Sequence, residues 1–122
     1  MNEARRLFLA AVTSLGLTAC THNNFMPNVI QLNPNGTATN PAKQSIASSF
    51  TLTAVEDGYT GLFTAETIAG DCWVVQTPVS THGAWIVVPQ GLGCSKHVTD
   101  KILVKDTNGN SASTYIRGTG TQ

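Results

Sequence analysis

The sequence predicts an all-β fold, a sandwich of about seven strands that follows a flexible N-terminal tether. Between residues 49 and 118, short runs rich in β-branched and aromatic residues alternate with turn residues every 8 to 12 positions or so. No window in this range keeps the 3.6-residue periodicity of an amphipathic helix. Charged residues make up only 11% of the chain, while Thr, Ser, Asn and Gly are plentiful, a mixture common in exported β domains.

Six strands are predicted in this range, each bounded by turn residues. They cover residues 50–54, 61–68, 72–76, 84–88, 101–105 and 113–117. In the first of them Phe50, Leu52 and Ala54 alternate with threonines, so we expect these three side chains to share the buried face. Residues 84–88 are apolar on both faces, which predicts a central or doubly covered strand.

The last two predicted strands are joined by a hairpin turn. Asn108-Gly109 is the strongest short hairpin signal in the chain, because both residues tolerate a positive φ. We expect Asp106 to cap this turn through its side chain. Together with a candidate strand at residues 29–32, the pattern gives about seven strands.

Residues 1–19 have the three parts of an export signal. Arg5 and Arg6 form a positive start, and an apolar run covers residues 7–17. Thr18 and Ala19 are the small residues that precede a cleavage point. The apolar run is shorter than the about 20 residues needed to span a bilayer. A buried core helix and an ordinary secretory peptide are the two alternatives to the interpretation that follows.

The motif Leu17-Thr18-Ala19-Cys20 resembles the lipobox of bacterial lipoproteins. The resemblance implies cleavage before Cys20, acyl chains such as palmitate on that cysteine, and a membrane-anchored protein of the cell envelope. Two or more acyl chains anchor a protein stably, whereas one chain binds only marginally. Thr21 stands where an Asp would favour the inner membrane, so the expected location is the outer membrane, with the domain facing the periplasm or the exterior.

Residues 20–48 are predicted to be a tether rich in Asn, Pro and Thr. Three prolines interrupt it, and the turn Asn33-Pro34-Asn35-Gly36 lies in its middle. Only residues 29–32 have strand-like composition, and they are either a first edge strand or an apolar patch in a linker. The predicted folded domain covers residues 49–118, and residues 119–122 form a short tail.

Residues 49–117 resemble the bacterial immunoglobulin-like repeats of surface and secreted proteins. The resemblance is carried by Phe50-Thr51-Leu52, by residues 58–65, by Gly93-Cys94 and by residues 102–112. In the last of these a strand is followed by Asp, a small residue, Asn-Gly-Asn and a final strand. The resemblance implies an immunoglobulin-like sandwich without a catalytic site.

The cysteine count predicts a disulfide bond. If one of the three cysteines is acylated, Cys72 and Cys94 remain, and in an oxidising compartment such a pair usually forms a bridge. Zinc bound by these two cysteines with His82 and His97 is the alternative, since Cys94-x-x-His97 has a plausible spacing. The other half of that site is dispersed, and a cysteine nucleophile would need a free thiol. We therefore predict no metal and no cofactor.

Three aromatic residues form a candidate binding surface. Trp73, Trp85 and Tyr59 could stack on a carbohydrate, although both tryptophans could equally belong to the core. In a regular strand Trp73 would point to the face opposite Cys72, so an inward Cys72 would leave Trp73 outside.

Two further constellations are weaker still. A calcium site at Asp106, Asn108 and Asn110 has alternate spacing but no distal Glu. Residues 80–82 pair a serine with a histidine but lack a nucleophile elbow. Neither constellation supports an enzyme.

The charge balance bears on the partners. After residue 19 there are five Lys and Arg against six Asp and Glu, and no basic stripe is evident in the sequence. Nucleic-acid binding therefore has little support. We predict a non-enzymatic envelope lipoprotein, an interaction or structural module with a protein partner. One alternative is an inhibitor of a hydrolase such as lysozyme, using residues 79–83 or 89–93 as a protruding loop. The other is a metal-dependent hydrolase.

Overall fold

Two β-sheets pack face to face. The computed structural model describes residues 29–91, 94 and 98–120. In this part of the chain nine strands are found: β1 Ile30–Asn33, β2 Ala42–Ser45, β3 Phe50–Glu56, β4 Phe63–Ala69, β5 Trp73–Val75, β6 Ser80–Thr81, β7 Ala84–Pro89, β8 Thr99–Asp106 and β9 Ser111–Thr119. The predicted all-β sandwich is confirmed. Over the same residues, no helix has the length and apolar character needed to cross a membrane.

The strand order corresponds to that of an immunoglobulin sandwich. One sheet has the order β1-β3-β7-β5 and the other the order β2-β9-β8-β4-β6. These orders match strands ABED facing strands GFC of the immunoglobulin fold, with β2 and β6 added at the two edges of the second sheet. Strand β2 pairs with β9 in parallel, whereas the other pairs are antiparallel.

All six predicted strands are present, most of them longer than predicted. The hairpin of β8 and β9 turns at residues 107–110, with Lys105 opposite Ser111. Strand β7 is central in its sheet, between β3 and β5. Only its inner face is covered, however, because Ile86 is 48% exposed on the outer face. Of the two predicted alternatives, the central strand is therefore confirmed and the doubly covered strand is wrong.

The sheets begin at residue 30 rather than at residue 49, so the predicted tether contains two strands. Strand β1 pairs with β3, and its Ile30 and Leu32 are buried. The Thr114 hydroxyl holds the segment between β1 and β2 against β9. It donates a hydrogen bond to Pro34 O at 2.8 Å and accepts one from Gly36 N at 2.8 Å. Residues 20–28 of the predicted tether, Cys20 among them, lie outside the described residues.

The core lies between the sheets and is built from alternate residues of most strands. Its largest fully buried members are Trp73, Leu52, Ile102, Ile116 and Val87. The Trp73 ring packs edge-to-face against Phe50, with ring centroids 5.2 Å apart. Burying an aromatic side chain in this geometry adds about 0.5–1.5 kcal/mol to the hydrophobic contribution. This shared core fixes the orientation of the two outer faces.

Candidate interaction faces

The predicted disulfide bond between Cys72 and Cys94 is confirmed. It joins the residue before β5 to the segment between β7 and β8, across a sequence separation of 22 residues. A bridged pair has no thiolate to offer, so neither the zinc site nor the cysteine nucleophile is formed. His82 is exposed, and His97 lies outside the described residues. In the described segments, no three His, Cys, Asp or Glu side chains gather as metal ligands.

The candidate aromatic surface is not formed, because both tryptophans belong to the core. Trp73 is 0% and Trp85 3% exposed. The Trp85 indole donates to Val79 O at 2.9 Å. Tyr59 is half-buried, with its ring against Phe63 at 4.9 Å and its hydroxyl donating to Leu62 O. These three side chains therefore offer no flat aromatic surface to a sugar.

Cys72 and Trp73 are both buried, which breaks the alternation expected of a regular strand. Strand β5 begins only at Trp73, so Cys72 lies just outside the regular pleat. One oxygen of the Asp100 carboxylate accepts both backbone N–H groups, from Cys72 at 3.0 Å and from Trp73 at 2.7 Å. The Asp100 side chain therefore accepts two backbone hydrogen bonds that a neighbouring strand would otherwise accept.

Asp100 is a fully buried acid on β8. Burial raises the pKa of its carboxyl, the amides of Trp73 and Cys72 offset part of that rise, and the charge of Asp71 adds to it. Its second oxygen has no hydrogen-bond partner within the described residues. Gly70 leaves room for it: φ is +95° there, and a Cβ would overlap the carboxylate.

Two more acids meet at the hairpin end of the sandwich. Asp106 accepts bonds from the backbone N–H groups of Asn108 at 2.8 Å and Asn110 at 2.9 Å, so the predicted turn cap is present. Its other oxygen accepts from Asn110 Nδ2 at 2.8 Å. Both carboxylate oxygens that a calcium ion would require are thus engaged by the turn itself.

The acids at this end have opposite pKa shifts. Burial would raise the pKa of Asp106, but hydrogen bonds from Asn110, Glu56 and Asn108 outweigh it and lower the pKa to about 2. Glu56, at the end of β3, is buried beside it. Burial, followed by its contact with Asp106, raises the pKa of Glu56. The two neighbouring carboxyl groups therefore differ in opposite directions from their ordinary pKa values.

The outer face of the four-stranded sheet carries no charged side chain on its strands; we call it the uncharged face. Val55, Val74 and Ile86 are its most exposed apolar residues, at 60%, 40% and 48%. Thr51 lies opposite Ile86, and Val74 lies opposite Val88. The full set is Gln31, Asn33, Thr51, Thr53, Val55, Val74, Ala84, Ile86 and Val88.

The outer face of the five-stranded sheet carries the four Lys and Arg residues of the described segments; we call it the basic face. Lys43 of β2 lies beside Arg117 of β9 in the parallel pair. Lys101 and Lys105 point outward from β8, and the Lys101 ammonium lies 5.4 Å from the centre of the Tyr115 ring. Glu66 of β4 is the acid on this face.

This clustering could be predicted from the sequence only in part. Lys101 and Lys105 share a face because they are four residues apart in a strand, a signal present in the sequence. Lys43 and Arg117 join them only through the parallel pairing of β2 and β9, which the sequence did not predict. The buried Glu56, Asp100 and Asp106 are half of the six acids after residue 19, so the surface is more basic than the composition.

The first loop considered for an inhibitor is part of the edge of the five-stranded sheet. Residues 79–83 include β6, which pairs with β4, and Val79 O accepts the Ala65 N–H at 3.0 Å. The second, residues 89–93, begins with the last residue of β7, and Gln90 N–H donates to Cys72 O at 2.7 Å. Residues 92 and 93 lie outside the described residues.

Comparison of the chain with protein-family models, with curated proteins and with solved structures gives no match. The resemblances to bacterial lipoproteins and to immunoglobulin-like repeats therefore depend on the sequence motifs and on the strand order.

Proposed function

We propose that this protein is a lipid-anchored module of the bacterial cell envelope that binds a protein partner and is not an enzyme. The uncharged face is the observation that carries the proposal. Exposed Val55, Val74 and Ile86 share one sheet face with threonines and amides and with no charge. Surfaces of this composition are typical of protein interaction sites, whose centres are depleted of charged residues.

The anchoring part of the proposal is supported by the cysteines. With Cys72 and Cys94 bridged, Cys20 is the remaining one of the three, and it ends the lipobox-like motif. A disulfide in so small a domain fits an oxidising compartment. Ten residue steps separate Cys20 from Ile30, where β1 begins, and they span at most about 35 Å when fully extended. An acylated Cys20 would therefore hold the sandwich close to the bilayer.

Photo-crosslinking in cells tests the partner face. A photoreactive amino acid at Ile86 should give a discrete adduct with one envelope protein, because this position lies in the middle of the uncharged face. The matched control is the same amino acid at Thr64, an exposed outward position on the other sheet. No adduct from position 86, or equal adducts from both positions, would contradict the proposal. An adduct with a hydrolase whose activity it lowers would establish the inhibitor alternative.

Membrane extraction tests the anchor. The full chain should remain in the membrane fraction after a high-salt wash, because acyl chains and not charges hold it. In the control, residues 1–20 are replaced by a secretory signal that is cleaved ahead of Thr21. We expect this chain to be removed by the wash. Equal retention of both chains would contradict acylation at Cys20.

A further inference from the structure

The sandwich has a charged outer face as well as an uncharged one, and the proposed partner uses only the latter. The structure describes four of the five cations that follow residue 19, and all four lie on the basic face: Lys43, Lys101, Lys105 and Arg117. Among the residues that the structure describes, the exposed acids are Asp57, Glu66 and Asp71, and only Glu66 lies on the strands of this face. The described cations thus lie on one side of a chain that is almost neutral overall.

We propose that the basic face binds an anionic lipid surface, so that the domain lies on the membrane to which Cys20 attaches it. The proposal rests on the anchoring described above, and it adds an orientation. With the basic face against the headgroups, the uncharged face on the opposite side of the sandwich points away from the bilayer, towards a partner.

The arrangement of the cations favours an extended surface over a single bound anion. Lys101 and Lys105 are about 13 Å apart along β8, at about 3.3 Å per residue. Arg117 lies on β9, the strand next to β8, and Lys43 lies on β2, one strand further out. The four cations therefore extend over three strands rather than surrounding a single point. They do match the dispersed negative charge of a lipid leaflet, which attracts each nearby Lys or Arg and raises partitioning roughly fivefold per residue.

The tether geometry favours a lipid surface over a soluble acidic polymer. A chain of at most about 35 Å keeps the start of β1 within that distance of the bilayer, so the headgroups are at high effective concentration. A weak electrostatic contact is sufficient under this condition. The hydroxyls of Ser111 and Ser113 lie outward opposite Lys105 and Leu103 and can bond to headgroup oxygens.

Co-flotation with vesicles tests the inference independently of acylation. The probe is the chain from Thr21 to Gln122, which contains every residue of the core but no Cys20. We expect it to float with phosphatidylcholine vesicles that contain phosphatidylglycerol, not with phosphatidylcholine alone, and to be released as salt screens the charges. Because this chain cannot be acylated, failure here would leave the anchor untouched, and failure of acylation would leave this result untouched.

Two variants with the same change of net charge localise the contact. Lys43→Gln with Lys105→Gln removes two cations from the basic face, and it should weaken vesicle binding about 25-fold. Thr51→Glu with Thr53→Glu lowers the net charge equally on the uncharged face and should leave binding within about twofold of the parent chain. Equal loss in both variants, no preference for phosphatidylglycerol, or binding to heparin without binding to the anionic vesicles would each overturn the inference.

Discussion

The two outer faces of the sandwich differ in charge more than the sequences of their strands suggest. Both sheets consist of short strands that alternate buried apolar residues with outward polar ones. The outward positions of β8 carry Lys101 and Lys105, whereas those of β3 carry Thr51, Thr53 and Val55. The difference teaches that a chain of nearly neutral composition can have one basic face. Strand pairing brings the cations together on that face, and burial removes acids from the surface.

The largest expected effect comes from Asp100, which links the two sheets. It reaches from β8 to the amides of Cys72 and Trp73 at the start of β5. In Asp100→Ala these two buried N–H groups lose their partner, which should lower the free energy of unfolding by about 2–5 kcal/mol. Urea unfolding followed by tryptophan fluorescence measures the change. Asp71→Ala removes an exposed neighbouring acid as the control, and an equal effect from both would show that Asp100 does not link the sheets.

The disulfide is a second long-range contact, and its loss should cost slightly less. Cys72→Ala with Cys94→Ala opens a loop closed across 22 residues, which should cost about 3 kcal/mol because the unfolded chain gains freedom. Thermal unfolding of the double variant should match that of the parent protein in a reducing agent. A variant as stable as the oxidised parent would mean that the bridge does not stabilise the fold.

The acid pair at the hairpin end predicts how stability varies with pH. The pKa of Glu56 is raised above its ordinary 4.5, so the folded state resists ionisation of this group. Stability from protonated Glu56 is present below pH 4.5 and is lost as pH rises through the raised pKa. As the pH rises through the raised pKa, the free energy of unfolding of Glu56→Gln should increasingly exceed that of the parent. Urea unfolding at a series of pH values measures this difference. Glu66→Gln, an exposed acid on β4, should follow the parent.

Asp106 acts in the opposite direction, and this separates the two acids. Its pKa is lowered from 3.8 to about 2, so its contribution is present above pH 3.8 and is lost as pH falls towards 2. The parent should therefore lose stability as the pH falls from 3.8 towards 2, and Asp106→Asn should not show this loss. A parent protein whose stability is flat over both ranges would contradict the assigned shifts.

The smallest stability effects are expected on the outer faces, where the functional effects are largest. Ile86→Lys and Lys105→Gln change exposed side chains and should alter the free energy of unfolding by no more than about 0.5 kcal/mol. Ile86→Lys should nevertheless abolish the envelope adduct formed from a photoreactive residue at Val74 on the same face. Lys105→Gln should leave that adduct intact. Loss of the adduct in both variants would mean that the faces are not independent.

Much of the fold could be predicted from local sequence signals. Alternation gave the inward side of Phe50, Leu52 and Ala54, and Asn108-Gly109 gave the hairpin, because these features depend on neighbouring residues alone. Strand β2 could not be found in this way. Its sequence Ala-Lys-Gln-Ser has no large apolar residue, and it is a strand because its backbone pairs with β9, over 70 residues later.

The faces were less predictable than the strands. The burial of Trp73 beside Cys72 depends on Asp100, 27 residues away from Trp73, which no local pattern indicates. The basic face likewise requires the pairing of β2 with β9 and the burial of three acids. Long-range pairing and buried polar contacts therefore determine which surfaces are available for binding.

Mass spectrometry of the protein extracted from membranes tests most directly whether it is a lipid-anchored module. The account predicts a mature chain that begins at Cys20, carries acyl groups on that residue, and has Cys72 linked to Cys94 with no free thiol. A chain that retains residues 1–19, or one with an unmodified Cys20, would contradict it.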